Sequence, residues 1–175
     1  MKYQIVVAGF GGQGVVFLVK VLSICAGKKG YKFLGTENHG MSQRGGSVSS
    51  HIKIGDFYNP LIDYAQADLL IGLDKDEAIL NLPYLKKGGK VVVNADEFPK
   101  IDAEIYAIDA NGLAEQGVFD AKGLNVFMLG ITLEKVKDFP FSVDEVKAAI
   151  EEINPKFAPK NFEILDKAIE YAKNI

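Results

Sequence analysis

The sequence predicts an α/β protein with a mostly parallel sheet between two layers of helices, folded as a single domain over residues 1–175. Short runs rich in β-branched residues alternate with segments whose apolar residues recur at helical spacing. The first run, residues 3–8, has no polar alternation after Gln4, which is typical of a strand buried on both faces. At 175 residues with 48% apolar content, the chain is long enough to bury one core.

The predicted elements alternate along most of the chain. The predicted strands cover residues 3–8, 31–36, 51–54, 67–73, 90–95 and 104–108. The predicted helices cover residues 15–26, a segment from Asp74 that continues past Pro83 to Leu85 and ends at residues 86–89, and residues 109–117, 123–135, 142–153 and 161–171. Strands separated by helices are joined by right-handed parallel crossovers, so a three-layer αβα sandwich is expected.

A glycine turn joins the first strand to the first helix. Gly9, Gly11 and Gly14 satisfy the pattern G-x-G-x-x-G in the order strand, turn, helix, as in a Rossmann-like fold. Glycine permits a tight turn, and the first N–H groups of a helix can bind an anion such as phosphate. We therefore nominate these three residues, with Gly12 and Gln13, as cofactor-binding. Alternatively, Gly12 and Gly14 let the helix pack closely against the sheet or a partner chain.

Glu37 makes nicotinamide dinucleotide an obvious candidate ligand. It closes the second predicted strand about twenty residues beyond the turn, where dinucleotide-binding folds place the carboxylate that binds a ribose hydroxyl. The next residues, 38–50, read NHGMSQRGGSVSS and contain too many glycines and small polar residues for a helix. They predict a loop that leads into the short strand 51–54.

Arg44 stands out because it is the one arginine among twenty lysine and arginine residues. A planar guanidinium matches a carboxylate or phosphate better than an ammonium does. We predict that Arg44, with Gly45 and Gly46, contacts an anion, the alternative being a solvated loop charge. His39 and His51 have no Cys, Asp or Glu at metal-ligand spacing, so no metal site is predicted, and His39 is the stronger functional candidate of the two.

Composition excludes several classes of function. A net charge of −3 without a basic, aromatic cluster argues against nucleic acid. No apolar run is long enough for a membrane span and no signal pattern opens the chain, so a cytoplasmic protein is expected. Cys25, the single cysteine, is expected to be a buried apolar residue. Asp74 and Asp96 follow apolar strands, where capping or a turn explains them more simply than a ligand.

These motifs together resemble one enzyme family. GFGGQG at residues 9–14, HGMSQRGGSVSSHIKIG at residues 39–55 and the following YNPLI look like the gamma-type domain of the 2-oxoacid:ferredoxin oxidoreductases. The wording HGMSQRGGSV most resembles the small, beta subunit of the indolepyruvate branch. In this family an asparagine followed by an apolar stretch and a glycine, here Asn125 to Gly130, lies on a helix that helps to associate subunits, so an interface role is expected there, with core packing as the alternative.

The resemblance implies a division of labour between subunits. Oxidative decarboxylation of a 2-oxoacid needs thiamine diphosphate and iron–sulfur clusters. One cysteine cannot hold a cluster, and the chain lacks a thiamine motif and a Ser/His/Asp or Cys/His set. The resemblance therefore implies a larger partner subunit that carries thiamine diphosphate and the 4Fe-4S clusters, ferredoxin as acceptor, and possible contact with coenzyme A by this chain. No catalytic residue is assigned.

Two other hypotheses stay open. The first is a free-standing NAD- or nucleotide-binding domain that uses Gly9, Gly11, Gly14 and Glu37. The second is a scaffold whose glycine loops only pack against a partner. Within the family, the pyruvate, 2-oxoisovalerate and 2-oxoglutarate branches are alternatives to indolepyruvate.

Overall fold

The central feature of the fold is a sheet with the order β2-β3-β1-β4-β5-β6. The computed structural model describes residues 1–39 and 46–175, and its six strands all belong to this sheet. The strands are β1 (Tyr3–Phe10), β2 (Phe33–His39), β3 (Ser47–Ile54), β4 (Ala67–Gly72), β5 (Leu85–Asn94) and β6 (Ala103–Ile108).

Most of the sheet is parallel, as predicted. Strands β1, β4, β5 and β6 run parallel, whereas β3 is antiparallel to both of its neighbours, β1 and β2. Only residues 40–46 separate β2 from β3. A connection this short cannot contain the helix that a parallel crossover needs, so the two strands pair as antiparallel neighbours. The prediction of parallel crossovers is therefore wrong for β3, which also begins earlier than the predicted residue 51.

The two helical layers are unequal. In the described ranges the helices are α1 (Val15–Lys28), α2 (Lys75–Leu80), α3 (Ala110–Glu115), α4 (Leu124–Lys135), α5 (Val143–Ile153) and α6 (Ala158–Lys173), with short 3₁₀-helices at Leu82–Tyr84 and Ala121–Gly123. The first face of the sheet, which carries Ile5 and Val7, packs in one core with α1, α4, α5 and α6. The second face, with Val6 and Ala8, is covered mainly by α2, the 3₁₀-helix Leu82–Tyr84 and the connector 55–66.

Two predicted helix boundaries need correction. Residues 85–89 do not end a helix, because α2 stops at Leu80 and β5 already begins at Leu85. Leu85 pairs with Ala67, but Lys90 pairs with Leu69, so the basic and glycine residues between them bulge out of the strand. Gly88 has a φ of +74°, which favours glycine in such a bulge. The last helix starts at Ala158 instead of residue 161 because Pro159 fits its first turn.

Helix α4 forms the middle of the core rather than a free surface. All residues from Leu124 to Thr132 are buried within the chain. The predicted close helix contact at Gly130 is confirmed, since a Cβ there would lie 2.5 Å from Ala168 Cβ and 2.8 Å from the Leu165 carbonyl oxygen of α6. The contact is intramolecular. Core packing is therefore the role of this stretch, and the interface role expected for it is wrong. No helix of the described part of the chain is long and apolar enough to cross a membrane.

Replacing Gly130 tests this packing. Gly130→Ala forces α4 and α6 apart, and we expect the free energy of unfolding to fall by about 1–3 kcal/mol, measured by urea denaturation. Gly27→Ala in α1 is the matched control, because an added Cβ there meets nothing within 4 Å. It should stabilise the protein by about 0.5–1 kcal/mol through higher helix propensity. Equal effects of the two substitutions would contradict the proposed close contact.

Candidate functional site

The glycine turn is held by backbone hydrogen bonds at the carboxyl end of β1. The Gln13 N–H donates to the Phe10 carbonyl at 3.1 Å, and the Gly11 N–H donates to the Gly46 carbonyl at 2.9 Å. Gly12 and Gly14 both have φ values of +92°, a conformation that strongly favours glycine. The hydrogen bond from Gly11 joins the first sequence stretch to the second and places Gly46 beside the turn.

The Gln13 side chain points into the sheet. Its Oε1 accepts from the Phe10 N–H at 2.7 Å and its Nε2 donates to the Leu73 carbonyl at 3.3 Å. Gly9 lies beneath it, where a Cβ would be only 2.8 Å from Oε1. Phe10 ends β1 and Leu73 follows β4, and the chain leaves these two strands toward opposite faces. Gln13 thus fills the switch point where dinucleotide-binding folds place their ligand.

A cleft opens on the other side of β1, between the start of α1 and the start of β3. Its volume is about 420 Å³. Both predicted stretches contribute to it, and Phe10 pairs directly with Ser47 at its floor. Gly9 and Gln13 support the turn and do not line the cleft, while Arg44 and Gly45 lie outside the described residues. The described lining residues are Phe10, Gly11, Gly12, Gly14, Val15, Val16, His39, Gly46, Ser47 and Val48.

The start of α1 gives this cleft a positive end. Gly14 precedes the helix, its first turn carries no acidic residue, and no side chain of the described residues caps it. The first N–H groups of a helix lack intrahelical acceptors, and the helix dipole adds partial positive charge there. An anion in the cleft would supply the missing acceptors.

Asn125 of α4 holds the end of the glycine turn in place through a hydrogen bond. Its Nδ2 donates to the Gly14 carbonyl at 3.1 Å, and its side chain is buried. A Cβ on Gly14 would overlap this amide group. Sequence reasoning treated Asn125 only as part of a family pattern. Its signal was one polar residue in the otherwise apolar run LNVFMLG, which predicts a buried hydrogen bond.

The two histidines differ in environment. His39 is exposed, lines the cleft, and places Nε2 3.3 Å from the Glu37 carboxylate. His51 is only 2% exposed, and its Nδ1 accepts from the Ile62 N–H at 3.1 Å. Its ring meets the Tyr84 ring edge-on at 4.6 Å. Burial, reinforced by the nearby Lys53 charge, lowers the pKa of His51, so this histidine is a neutral link between β3 and the connector.

The remaining candidates have structural roles. The Asp74 carboxylate accepts from the Glu77 N–H at 3.1 Å and caps α2, and Asp96 accepts from the Glu97 N–H at 2.9 Å. Cys25 is 1% exposed, and burial raises the pKa of its thiol to about 11. Its prediction as a buried apolar residue is confirmed. Within residues 1–39 and 46–175, no three His, Cys, Asp or Glu side chains are grouped as metal ligands would be.

Glu37 does not line the glycine cleft, although its carboxylate is 3.3 Å from Nε2 of His39, which does. It lines a larger groove of about 640 Å³ along α1 and the outer strand β2, with Lys20, Phe33 and Ile153. The antiparallel β3 separates β2 from β1, whereas dinucleotide-binding folds pair these two strands directly. The carboxylate and the glycine turn therefore do not form one dinucleotide site, which argues against the NAD alternative.

Comparison with known proteins identifies the family. The model for the family "Pyruvate ferredoxin/flavodoxin oxidoreductase" matches residues 4–171. The chain belongs to this family. The resemblance predicted from the motifs at residues 9–14 and 39–55 is confirmed. One curated relative, the indolepyruvate oxidoreductase subunit IorB of Pyrococcus horikoshii, is 32% identical over 198 aligned positions, which cover 99% of this chain and 98% of that protein.

Solved structures of ferredoxin oxidoreductases confirm the fold. The keto/oxoacid ferredoxin oxidoreductase gamma subunit of Geobacter sulfurreducens superposes with a TM-score of 0.81 at 22% identity and 99% coverage of both chains. The 2-oxoglutarate:ferredoxin oxidoreductase of Magnetococcus marinus, solved with 2-oxoglutarate, coenzyme A and succinyl-CoA, gives a TM-score of 0.82 at 19% identity. That match covers 99% of this chain and 31% of the Magnetococcus chain.

The buried His51 in this family member should make stability depend on pH. Because its pKa is lowered in the folded state, the unfolded chain binds more protons, and stability should fall as the pH drops below about 6.5. One proton contributes a slope of at most about 1.4 kcal/mol per pH unit. Urea denaturation from pH 8 to pH 5 measures this slope.

His51→Gln should flatten the slope, since an amide oxygen can still accept from the Ile62 N–H but does not titrate. His39→Gln removes an exposed histidine and is the control, with the wild-type slope expected. A His51→Gln protein with an unchanged slope would rule out the assignment to this residue.

Proposed function

We propose that this chain is the small subunit of a cytoplasmic indolepyruvate:ferredoxin oxidoreductase. In the proposed reaction an arylpyruvate, coenzyme A and two oxidised ferredoxins give an arylacetyl-CoA, carbon dioxide, two reduced ferredoxins and a proton. The observation that carries the proposal is the 32% identity to an indolepyruvate oxidoreductase subunit along 99% of the chain. Membership of the family over residues 4–171 supports it.

A larger subunit carries the electron-transfer chemistry in this proposal. Thiamine diphosphate stabilises the carbanion left by decarboxylation, and iron–sulfur clusters pass electrons singly to ferredoxin. Cluster ligation needs several thiolates, and this sequence contains one cysteine, which is buried in α1. The donor set of this chain therefore fits no cluster, and its contribution is to bind and orient.

The glycine cleft is the proposed contact with coenzyme A. Its volume of about 420 Å³ suits part of that molecule rather than the whole. The uncapped start of α1 presents N–H groups to a phosphate, and Gly12 leaves open space beside them. The Magnetococcus enzyme with the same fold was solved with coenzyme A bound, which supports the assignment by analogy.

Arg44 and Gly45 are proposed to act at the same cleft on sequence grounds. They immediately precede Gly46, whose carbonyl accepts from the Gly11 N–H in the turn. Arg44 is the one arginine of the chain, and its guanidinium can bind a phosphate or a partner carboxylate through two hydrogen bonds. The hypothesis is that Arg44 and the turn enclose one anion from two sides.

A substrate assay of the native complex tests the proposed reaction. The chain is purified from its source with the larger subunit, and ferredoxin reduction is followed with indolepyruvate, phenylpyruvate, pyruvate, 2-oxoisovalerate and 2-oxoglutarate. We expect kcat/KM for the arylpyruvates to exceed that for the others by about 100-fold or more, because an aromatic pocket gains several kcal/mol from the ring. A preference for 2-oxoglutarate, pyruvate or 2-oxoisovalerate would assign another branch, and co-purification without thiamine or iron would refute the proposal.

Replacing Arg44 tests the coenzyme A contact. Arg44→Ala should raise KM for coenzyme A about tenfold to 100-fold, since a charge-assisted hydrogen bond contributes about 1.5–3 kcal/mol. KM for the 2-oxoacid should stay unchanged, and native mass spectrometry checks assembly. Arg44→Lys keeps the charge without the planar fork and should give an intermediate value. An assembled Arg44→Ala enzyme with the wild-type KM for coenzyme A would exclude Arg44 from this role.

A further inference from the structure

Three lysines gather at the end of the sheet opposite the glycine turn. Lys2 precedes β1 and Lys32 precedes β2, while Lys53 lies near the end of the antiparallel β3. The register places Lys53 opposite Gln4 of β1. The Gly55 N–H donates to the Lys32 carbonyl at 2.9 Å, which brings the start of β2 to the same place. β1 and β2, which run in the same direction, start at this end of the sheet, and β3 ends there.

The three ammonium groups lie over two aromatic rings of the connector 55–66. Lys2 Nζ lies 4.9 Å and Lys53 Nζ 5.1 Å from the centre of the Phe57 ring. Lys32 Nζ lies 4.9 Å from the centre of the Tyr58 ring. We call these five residues the basic aromatic patch. Like charges held on neighbouring rings repel one another, so the arrangement favours an anion between them.

Lys53 contributes the third charge of the patch. The residue as a whole is 7% exposed because its stem is covered, and its ammonium group, which still reaches solvent, forms no ion pair with a carboxylate of the residues that the structure describes. The aromatic face attracts the ammonium on one side and leaves its other side open to a counter-ion. A carboxylate that approached the Phe57 ring would complete the coordination of this charge.

Several other lysines of the chain form ion pairs, which the lysines of the patch do not. Lys90 pairs with Asp138 at 3.1 Å, and Lys147 pairs with Asp166 at 2.8 Å. No carboxylate of residues 1–39 and 46–175 lies within 4.0 Å of the ammonium groups of the patch, although Asp56 adjoins Phe57 in sequence. With 23 acidic and 20 basic residues, the chain has carboxylates to spare. What distinguishes the patch is the gathering of three lysines without ion pairs on two adjacent aromatic residues.

Exposed aromatic and apolar side chains lie next to the patch on the second face of the sheet, which few elements cover. Tyr58 is 88% exposed, Tyr64 70% and Leu61 49%. They belong to the connector, which together with the short α2 provides most of the cover on this face. Exposed tyrosines beside cations are typical of protein interfaces, where aromatic residues form the centre and charges the rim.

We infer that the basic aromatic patch docks a carboxylate-rich segment of a partner protein; within the proposed function, on which this inference rests, that segment belongs to the larger subunit. A second copy of this chain is a poor occupant. A two-fold contact centred on the patch would set lysines against lysines. An acidic surface instead neutralises the three charges and covers the exposed Tyr58. Because the patch and the glycine cleft are at opposite ends of β1, this docking is separate from the coenzyme A contact.

The dissociation constant of the purified larger subunit for this chain tests the inference. The variant Lys2→Gln/Lys32→Gln/Lys53→Gln should bind about tenfold more weakly or worse at an ionic strength of about 0.05 M, with a smaller difference at about 0.5 M, because salt screens charge pairs. The matched control, Lys100→Gln/Lys156→Gln/Lys173→Gln, removes the same charge from exposed sites elsewhere and should bind like the wild type. Arginine at the three patch positions should restore binding.

The outcomes separate this inference from the proposed function. If the wild-type chain binds a thiamine- and iron-containing subunit but the patch variant binds equally well, the inference alone is wrong. If no such subunit binds the wild type, both are wrong. Should the triple variant fail to fold by circular dichroism, the exposed-site variants Lys2→Gln/Lys32→Gln and Tyr58→Ser decide, and unchanged binding of both would refute the docking role.

Discussion

The two hydrogen bonds of the Gln13 side chain close one crevice at the carboxyl end of the sheet. They connect the Phe10 N–H of β1 to the Leu73 carbonyl beyond β4 and so occupy the crevice that dinucleotide-binding folds leave open. With that crevice filled, the free N–H groups at the start of α1 are left on the β3 side, where Gly46 meets Gly11. The Rossmann-like glycine motif thereby lines a different cleft, to whose lining Glu37 does not belong.

The antiparallel β3 has a second consequence, which is the unequal cover of the sheet. A parallel strand at this position would have required a crossover helix, whereas only seven residues, 40–46, separate β3 from β2, and β3 leaves through the connector 55–66. The first face is covered by α1, α4, α5 and α6, while the second face has the short α2 and a connector with exposed tyrosines. The first face of the sheet is therefore part of a large closed core, whereas the second face keeps exposed side chains that another protein could contact.

Local patterns in the sequence predicted most of this fold. The apolar runs at residues 3–8 and 67–73 and the glycine turn between β1 and α1 are each specified by adjacent residues, and all appear in the structure. The misplaced parts depend on pairing between distant segments. Nothing local distinguishes the bulged start of β5 from a helix end, because lysines and glycines suit both. Likewise, Gln13 reaches a carbonyl 60 residues away and Asn125 one 111 residues away, so their supporting roles required the tertiary structure.

The positions of the two candidate contact regions define what this small subunit can contribute. β1 has eight residues and spans about 27 Å, with Lys2 before it and Gly11 after it. A pleated strand in the centre of a buried sheet transmits position rigidly, because each of its residues pairs with β3 and many with β4. On the two proposals above, a partner held at the lysine end would fix the orientation of the glycine end. Binding energy gained far from the reacting atoms would then place the N–H groups of α1, a route by which a subunit can affect a reaction rate through positioning.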